Sequence, residues 1–289
     1  MLSWQVGAVK ITRILELEAT GGTRFILPQA SPEAVREIGW LAPHFADEAG
    51  KLKMSIHALV VETPGARIVV DTCIGNDKQR DIPTWSGLQT RFLEDLAAAG
   101  YPRESIDVVL CTHLHVDHVG WNTMLVDGRW VPTFPNARYL LARTEFDYWR
   151  AEEEAAQDLS RSPFHDSVRP VWEAGLVELV ETTHQVCPEV ALEPTLGHTP
   201  GHVSVRIRSG GPKGVEDALI TGDFIHHPCQ LTHPEWDTPA DYDGAASTET
   251  RRRMFGELAG TETLVIGTHF SAPTAGHVVA DGAVWRLVV

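Results

Sequence analysis

Thr112-His113-Leu114-His115-Val116-Asp117-His118 is the stretch that decides how this chain is read. It sets three imidazoles and a carboxylate within one turn of a loop, directly after an apolar run, Ile106 to Cys111, that reads as a strand. Nitrogen and oxygen donors packed this densely suit a borderline divalent cation, zinc first and then manganese, iron or cobalt. A polar turn with incidental histidines would need no partners elsewhere, yet this chain supplies them. Gly197-His198-Thr199-Pro200-Gly201-His202 stands just before a strand-like run, Thr221-Gly222-Asp223 ends another, and Gly267-Thr268-His269 ends the last. Side chains at strand ends are held by a sheet while the adjoining loops stay free to shape a pocket.

Five histidines and two aspartates are enough for two cations with one carboxylate bridging them. Water shared by two such cations loses its proton near neutral pH, because the metal charge lowers its pKa from about 15.7 towards about 7. The pattern therefore implies hydrolysis by a metal-bridging hydroxide, with no side-chain nucleophile.

Around these motifs, strand-like runs recur at Ile56–Glu62, Arg67–Asp71, Arg138–Leu141, His202–Arg208, Ala218–Thr221 and Thr263–Gly267. The first two flank a Pro64-Gly65 turn and read as a hairpin. A helix with Leu88, Phe92, Leu93 and Leu96 on one face ends at Gly100. Thr144, with Asp147 three residues on, predicts the cap of a second helix, and a third runs from Ser247 or Thr248 to Gly260. Asp281-Gly282 between Val278-Val279 and Val284-Trp285 predicts a terminal hairpin. With no linker and no repeat, residues 1–289 read as one domain of α/β or α+β class. Thr20–Leu52, Cys73–Ser86 and Phe224–Ala246 resist regular assignment and are candidate lids or pocket walls. Residues 20–52 form the candidate lid or arm insertion, with a helical turn from the Ser31 cap through Pro32 to Trp40-Leu41.

Composition narrows the function. A net charge of −15, from 24 basic and 39 acidic side chains, argues against a nucleic-acid surface, and Arg251-Arg252-Arg253 reads as a solvated helix face. Cys73, Cys111, Cys187 and Cys229 show no C-x-x-C spacing, which fits a reducing compartment. No secretory leader pattern and no apolar run of about 18 residues is present, so a cytoplasmic location without membrane contact is expected.

The ordered set His113-x-His115-x-Asp117-His118, His198, Asp223 and His269 resembles the metallo-β-lactamase superfamily, over nearly the whole chain. The resemblance implies an αββα sandwich, two mixed sheets flanked by helices, with the metals at one edge between the sheets. Carried over by position, His113, His115 and His198 would hold one metal, Asp117, His118 and His269 the other, and Asp223 would bridge. Asp71 matches a position that orients a ligand histidine from behind. Of the remaining histidines, none with a ligand pattern, His202 opens a strand and the His226-His227 pair reads as pocket wall or as support behind the ligands.

Within the superfamily, Asp223 stands where the true β-lactamases have a cysteine or nothing. Only Phe270 to Val289 follow the last ligand, too few for the helical domain of glyoxalase II. No glutamate within the cluster and no flavodoxin module points to a flavodiiron protein, and the negative charge argues against ribonuclease Z. What remains is a branch of small-molecule hydrolases, lactonases and methyl-parathion-hydrolase-like enzymes, whose H-x-H-x-D-H-x-G-x-N form this chain shares through Gly120 and Asn122. Where quorum-quenching lactonases carry a tyrosine three residues after the bridging aspartate, this chain has His226, closer to the methyl-parathion-hydrolase branch.

The resulting expectation is a dinuclear zinc hydrolase of a small lactone or carboxylic ester. Asp117 passes a proton to the leaving group, and Asp223 and His226 complete the catalytic set. A phosphotriesterase is the alternative, and a non-catalytic metal-binding protein a remote one. Trp40, Phe45, Trp85, Trp121, Phe224 and Phe270 are expected to wall an aromatic cleft. A homodimer with an N-terminal arm is the assembly the resemblance allows.

Overall fold

The computed structural model describes residues 1–211 and 214–289. Two seven-stranded sheets dominate it. In the first, Ser3–Val6, Val9–Thr20, Lys53–Glu62, Arg67–Val70, Val108–Leu110, Arg138–Ala142 and Val177–Val180 lie side by side in that order. In the second the order is Gln185–Cys187, Val190–Pro194, Val203–Gly211, Gly214–Ile220, Leu264–Ile266, Ala275–Asp281 and Val284–Val288.

The layering follows from the two-residue period of a strand. Leu59, Val61, Ile68, Val70 and Leu110 point into a seam where Val205, Ile207, Ala218, Ile220 and Ile266 of the other sheet meet them. Ala58, Val60, Val69 and Val109 point the opposite way, towards Phe92, Leu96 and Phe146 of helices Phe92–Ala98 and Arg143–Ala155. Leu219 and Val265 likewise face Met254, Phe255 and Leu258 of helix Gly244–Leu258. Lys53–Glu62 is therefore buried along nearly its whole length, since both its faces are covered. The αββα sandwich expected from the sequence is the observed architecture.

Register aims the sandwich at one edge. Arg67–Val70, Val108–Leu110 and Arg138–Ala142 run parallel with Val70, Leu110 and Leu140 level, and Ile220 is level with Ile266 in the second sheet. The segments leaving these strands carry Asp71, His113, Asp223 and His269, so those side chains emerge together. Parallel strands ending in step make a crevice at their carboxyl ends.

Several sequence expectations need correction. Thr144 does not cap its helix, which starts at Arg143 without a side-chain cap. The third helix starts at Gly244, earlier than expected, because the Asp243 carboxylate accepts from Ala246 N at 3.0 Å. Ser31 does cap, accepting from Ala34 N, but the helix ends at Glu37 rather than Trp40-Leu41. Strands Ser3–Val6, Val9–Thr20, Val177–Val180, Gln185–Cys187 and Val190–Pro194 and the hairpin Thr123–Val126/Arg129–Pro132 lie outside the strand-like runs of the sequence. In Val9–Thr20 a register shift between Leu15 and Leu17 breaks the alternation that would have exposed it. The four cysteines are free thiols, and no helix among the described residues is long and apolar enough to cross a membrane.

One buried cation pins the irregular stretch after Cys73 to the fold. Lys78 Nζ donates to Thr123 Oγ1 at 2.8 Å and sits 3.5 Å from Asp166 Oδ1 and 3.7 Å from the centre of the Trp130 ring. Burial, outweighing Asp166, lowers Lys78 from its ordinary 10.5 to about 7. Between those values the unfolded chain holds a proton that the folded chain has released, so this residue makes stability rise with pH. The penalty is full below about 7. Lys78→Met lacks this dependence. The stability of the wild type relative to K78M is expected to climb by roughly 1 kcal/mol per pH unit between about pH 7 and 10. Parallel denaturant-derived stability curves for the two proteins would contradict it.

Candidate metal centre

Asp71 leaves its strand with φ at 55°, a left-handed conformation that costs a non-glycine residue about 1–2 kcal/mol. Three hydrogen bonds hold it there. Its carboxylate accepts from Thr112 N at 2.8 Å, Thr112 Oγ1 at 2.9 Å and His118 Nδ1 at 2.9 Å. Thr112 Oγ1, having given its proton to Asp71, accepts from His113 Nδ1 at 3.0 Å. His198 Nδ1 donates to Asp241 Oδ1 at 2.8 Å, and His269 Nδ1 to the Ser55 carbonyl at 3.1 Å. In all four rings the proton is thereby placed on Nδ1, which leaves the Nε2 lone pair free.

Those lone pairs converge on one carboxylate oxygen. Asp223 Oδ2 lies 3.1 Å from His269 Nε2, 3.3 Å from His118 Nε2, 3.7 Å from His198 Nε2 and 3.9 Å from His113 Nε2. His226 Nε2 is 3.3 Å from the same oxygen, and His115 Nδ1 is 2.9 Å from His198 Nε2. His113 Nε2 and Asp223 Oδ1 are buried and have no hydrogen-bond partner. Buried polar atoms are ordinarily satisfied, so unpartnered acceptors crowded together are the mark of a cation site. Within 4.8 Å the donor atoms group as His113/His115/His198, His113/His118/Asp223, Asp117/His118/His269 and His198/Asp223/His226. The residues present thus fit two cations.

The electrostatics divide the rings into two groups. Burial lowers His113 and His198, and brings His115 to about 4, so these rings are neutral and metal-competent. Burial would also lower His118 and His269, but the charges of Asp223 and its neighbouring aspartates outweigh it and raise both. Burial pushes Asp223 up, yet His269, His118 and His226 together hold it well below the usual range.

A Metallo-beta-lactamase superfamily profile matches residues 53–269, three quarters of the chain. The chain belongs to the metallo-beta-lactamase superfamily. An N-acyl homoserine lactonase of Bacillus sp is 26% identical over 170 residues, covering 55% of this chain and 60% of that protein. The chain therefore spans under two thirds of that curated relative. The structure of hydrolase AbOPH in the beta lactamase superfamily superposes with a TM-score of 0.78 at 22% identity, over 99% of this chain and 96% of that one. AidC, a dizinc quorum-quenching lactonase solved with a product, gives 0.75 at 20%, over the same shares. Proteins of this superfamily typically bind two metal ions, and the donor set described above is where this member would hold them.

Two supports of this superfamily site had no ligand pattern in the sequence. His202 Nε2 accepts from Asp223 N at 2.7 Å while its Nδ1 donates to the Thr195 carbonyl at 2.9 Å, so His202 sets the backbone that carries Asp223. Burial lowers His202 to about 3, which keeps it the neutral acceptor that this bond needs. Its spacing of four from His198 was the available signal. Glu145, buried at the start of helix Arg143–Ala155, accepts from Leu114 N at 3.1 Å, Gly201 N at 2.9 Å and Trp149 Nε1 at 2.7 Å. It ties the first histidine loop to the second, and a lone glutamate among many gives no such hint.

A cavity of about 700 Å³ opens from the donor cluster. His115, Asp117, His198, Asp223, His226 and His269 form its polar end; Leu17, Phe25, Ile26, Met54, Ile56, Ile82 and Trp85 form its apolar walls. All three irregular stretches contribute wall residues, through Phe25 and Ile26, through Ile82 and Trp85, and through Thr238, Pro239 and Ala240. The expected aromatic cleft is corrected: of the six rings, only Trp85 lines the cavity. Phe45, Phe224 and Phe270 are buried core, with Phe45 edge-on to Phe270 at 6.0 Å, and Trp40 packs against the same cluster. Trp121 stacks on Phe92 and donates to Glu16 Oε1 at 2.6 Å. Strand ends near a site are also where the sandwich core closes, so position beside a ligand did not separate wall from core.

Proposed function

We propose that the chain is a dinuclear zinc hydrolase that opens a small neutral lactone or cleaves a carboxylic ester with an apolar substituent. The observation that carries this is the convergence of five imidazole nitrogens within 3.9 Å of the single oxygen Asp223 Oδ2, at the floor of a largely apolar cavity. Nitrogen and carboxylate donors without thiolate suit zinc, with manganese, iron or cobalt as substitutes. When bound, two divalent cations supply an activated water and a Lewis acid for the carbonyl oxygen.

The chain's own residues then divide the work. His113, His115 and His198 form one donor set, Asp117, His118 and His269 the other, and Asp223 is shared. Asp117, reaching the cavity and 3.6 Å from His269 Nε2, is placed to pass a proton to the leaving oxygen. His226 faces the cavity beside Asp223 and is held from behind by its own N–H bond to Gln230 Oε1 at 2.7 Å. It stands ready to orient the substrate carbonyl. Among the described residues no lysine or arginine lines the cavity, which favours a neutral substrate over an anionic one.

The test is a panel of lactones with short and long acyl chains, aryl esters, and aryl phosphotriesters, assayed on chain of measured metal content. Lactones or esters are expected to lead. Phosphotriesters leading would replace this reading with the alternative, which the same neutral cavity also admits. His226→Ala is expected to lower kcat about 10²-fold or more while both metals remain. Unchanged kcat would remove His226 from the catalytic set.

A further inference from the structure

We infer that Asp241, braced by Arg251, is a positioning residue that fixes the proton and orientation of His198, and so sets the cation affinity of the His113/His115/His198 donors. The inference rests on the ligand reading above and adds residues outside every motif.

Asp241 Oδ1 lies 2.8 Å from His198 Nδ1, with both side chains 1% exposed. Its other oxygen accepts from Thr238 N at 3.4 Å and faces Arg251 Nη1 at 3.7 Å. Arg251 is fully buried on helix Gly244–Leu258 and has no freedom to swing away. Its Nε donates to the Pro234 carbonyl at 2.7 Å, Nη2 to Thr248 Oγ1 at 3.1 Å, and Nη1 to the Phe224 carbonyl at 3.5 Å. It thus supplies the countercharge that a buried carboxylate requires. The main chain adds two ties, Tyr242 N to the His198 carbonyl and Asp243 N to the Gly197 carbonyl, both 2.9 Å.

An imidazole can hold its proton on either nitrogen, and only one choice leaves Nε2 free for a cation. A carboxylate on Nδ1 selects that choice and strengthens the ring as a donor. Asp71 does this for His118; Asp241 does it for His198 from the opposite side of the site. The same segment carries Thr238, Pro239 and Ala240 on the cavity wall. A molecule filling the cavity therefore touches the loop that aims His198.

The experiment uses the full chain, stripped with a chelator and titrated with zinc or cobalt(II) against a chromophoric competitor, for wild type, Asp241→Asn, Asp241→Ala and Arg251→Lys. The wild type is expected to take up two cations. Asp241→Ala should weaken one binding step by about 10–100-fold and leave the other unchanged. Asp241→Asn, which still accepts from Nδ1 but lacks the charge, and Arg251→Lys should fall between. Long-range 15N NMR of the stripped chain should show His198 protonated on Nδ1 in wild type and mixed between the two nitrogens in Asp241→Ala. Two wild-type steps in Asp241→Ala, or parallel weakening of both steps with a lowered melting temperature of the stripped chain, would overturn the positioning role. A wild type that takes up no cation would instead overturn the ligand reading, and this inference with it.

Discussion

Asp223→Ala is expected to leave a folded chain that holds one cation in place of two and turns over its substrate at least about 10²–10³-fold more slowly. The prediction follows from how many atoms depend on that carboxylate. Asp223 Oδ2 is within 3.9 Å of Nε2 in His113, His118, His198, His226 and His269. Against the burial that would lower them, its charge does the most to raise His118 and His269. Taking it away leaves five nitrogen donors facing one another with no anion between them, so two cations held by these residues would repel with little to offset them. Asp223→Asn keeps the shape and loses the charge, so it should fail in the same direction. Metal content per chain and kcat/KM on the leading substrate decide the matter. Two cations retained with wild-type kcat/KM would show that Asp223 is not the shared carboxylate.

How much of this was legible beforehand depended on whether the signal was local. His113, His115, Asp117 and His118 crowd into six residues, and His198, Asp223 and His269 each sit in a glycine-marked turn at a strand end. Such patterns survive in sequence because the geometry is set by the neighbouring backbone. The αββα layering was reachable through them, whereas the first strands were not: the shift between Leu15 and Leu17 scrambles the period, and Glu16 and Glu18 place charges where an edge was not anticipated. The hairpin Thr123–Val126/Arg129–Pro132 is a different failure. Its Asp127-Gly128 turn, with φ of 50° and 73°, carries the same signal as Asp281-Gly282, but the strands it joins are four residues each and half-buried or exposed beyond Thr123, which leaves little period to mark them.

Residues that act through another residue were invisible for a physical reason. Glu145, Asp241 and Arg251 reach the site from a helix start, a loop and a helix interior, at separations from their partners that only the tertiary fold determines. A carboxylate on a charged helix reads as a solvated face, and Glu145 differs from Glu152 only in what folds over it. The aromatic wall failed in the converse way. Phe224 and Phe270 stand next to Asp223 and His269 in sequence, but both pairs lie in tight turns past the strand ends, where the backbone aims the aromatic ring into the core.

Gly120→Ala is expected to be among the most damaging single changes outside the donor set, destabilising the chain by more than about 4 kcal/mol. The glycine's backbone conformation is ordinary; the cause is space. A Cβ built there would lie 1.8 Å from the Ile74 carbonyl oxygen and 2.6 Å from Gly75 N, so two stretches of main chain would have to part. Neither is free to move. Gly120 N donates to the Cys73 carbonyl at 2.7 Å, Trp121 N to the Thr72 carbonyl at 2.8 Å, and Thr72 N to the His118 carbonyl at 2.7 Å. On the other side, Ile74 N and Gly75 N are held by the half-buried carboxylate of Glu16 at 2.8 and 3.3 Å. Forcing these segments apart pulls Asp71 from His118, whose 2.9 Å bond sets the ring that both Asp117 and Asp223 face. Stability and metal uptake should therefore fall together, with a melting temperature lower by on the order of 10 °C and loss of the cation at the Asp117/His118/His269 donors. Gly39→Ala, where an added Cβ meets nothing within 4 Å, is the control and should melt within about 0.5 kcal/mol of wild type. A Gly120→Ala chain that melts with its control and keeps both cations would mean that the contact between residues 72–75 and 118–121 is not what holds the centre together.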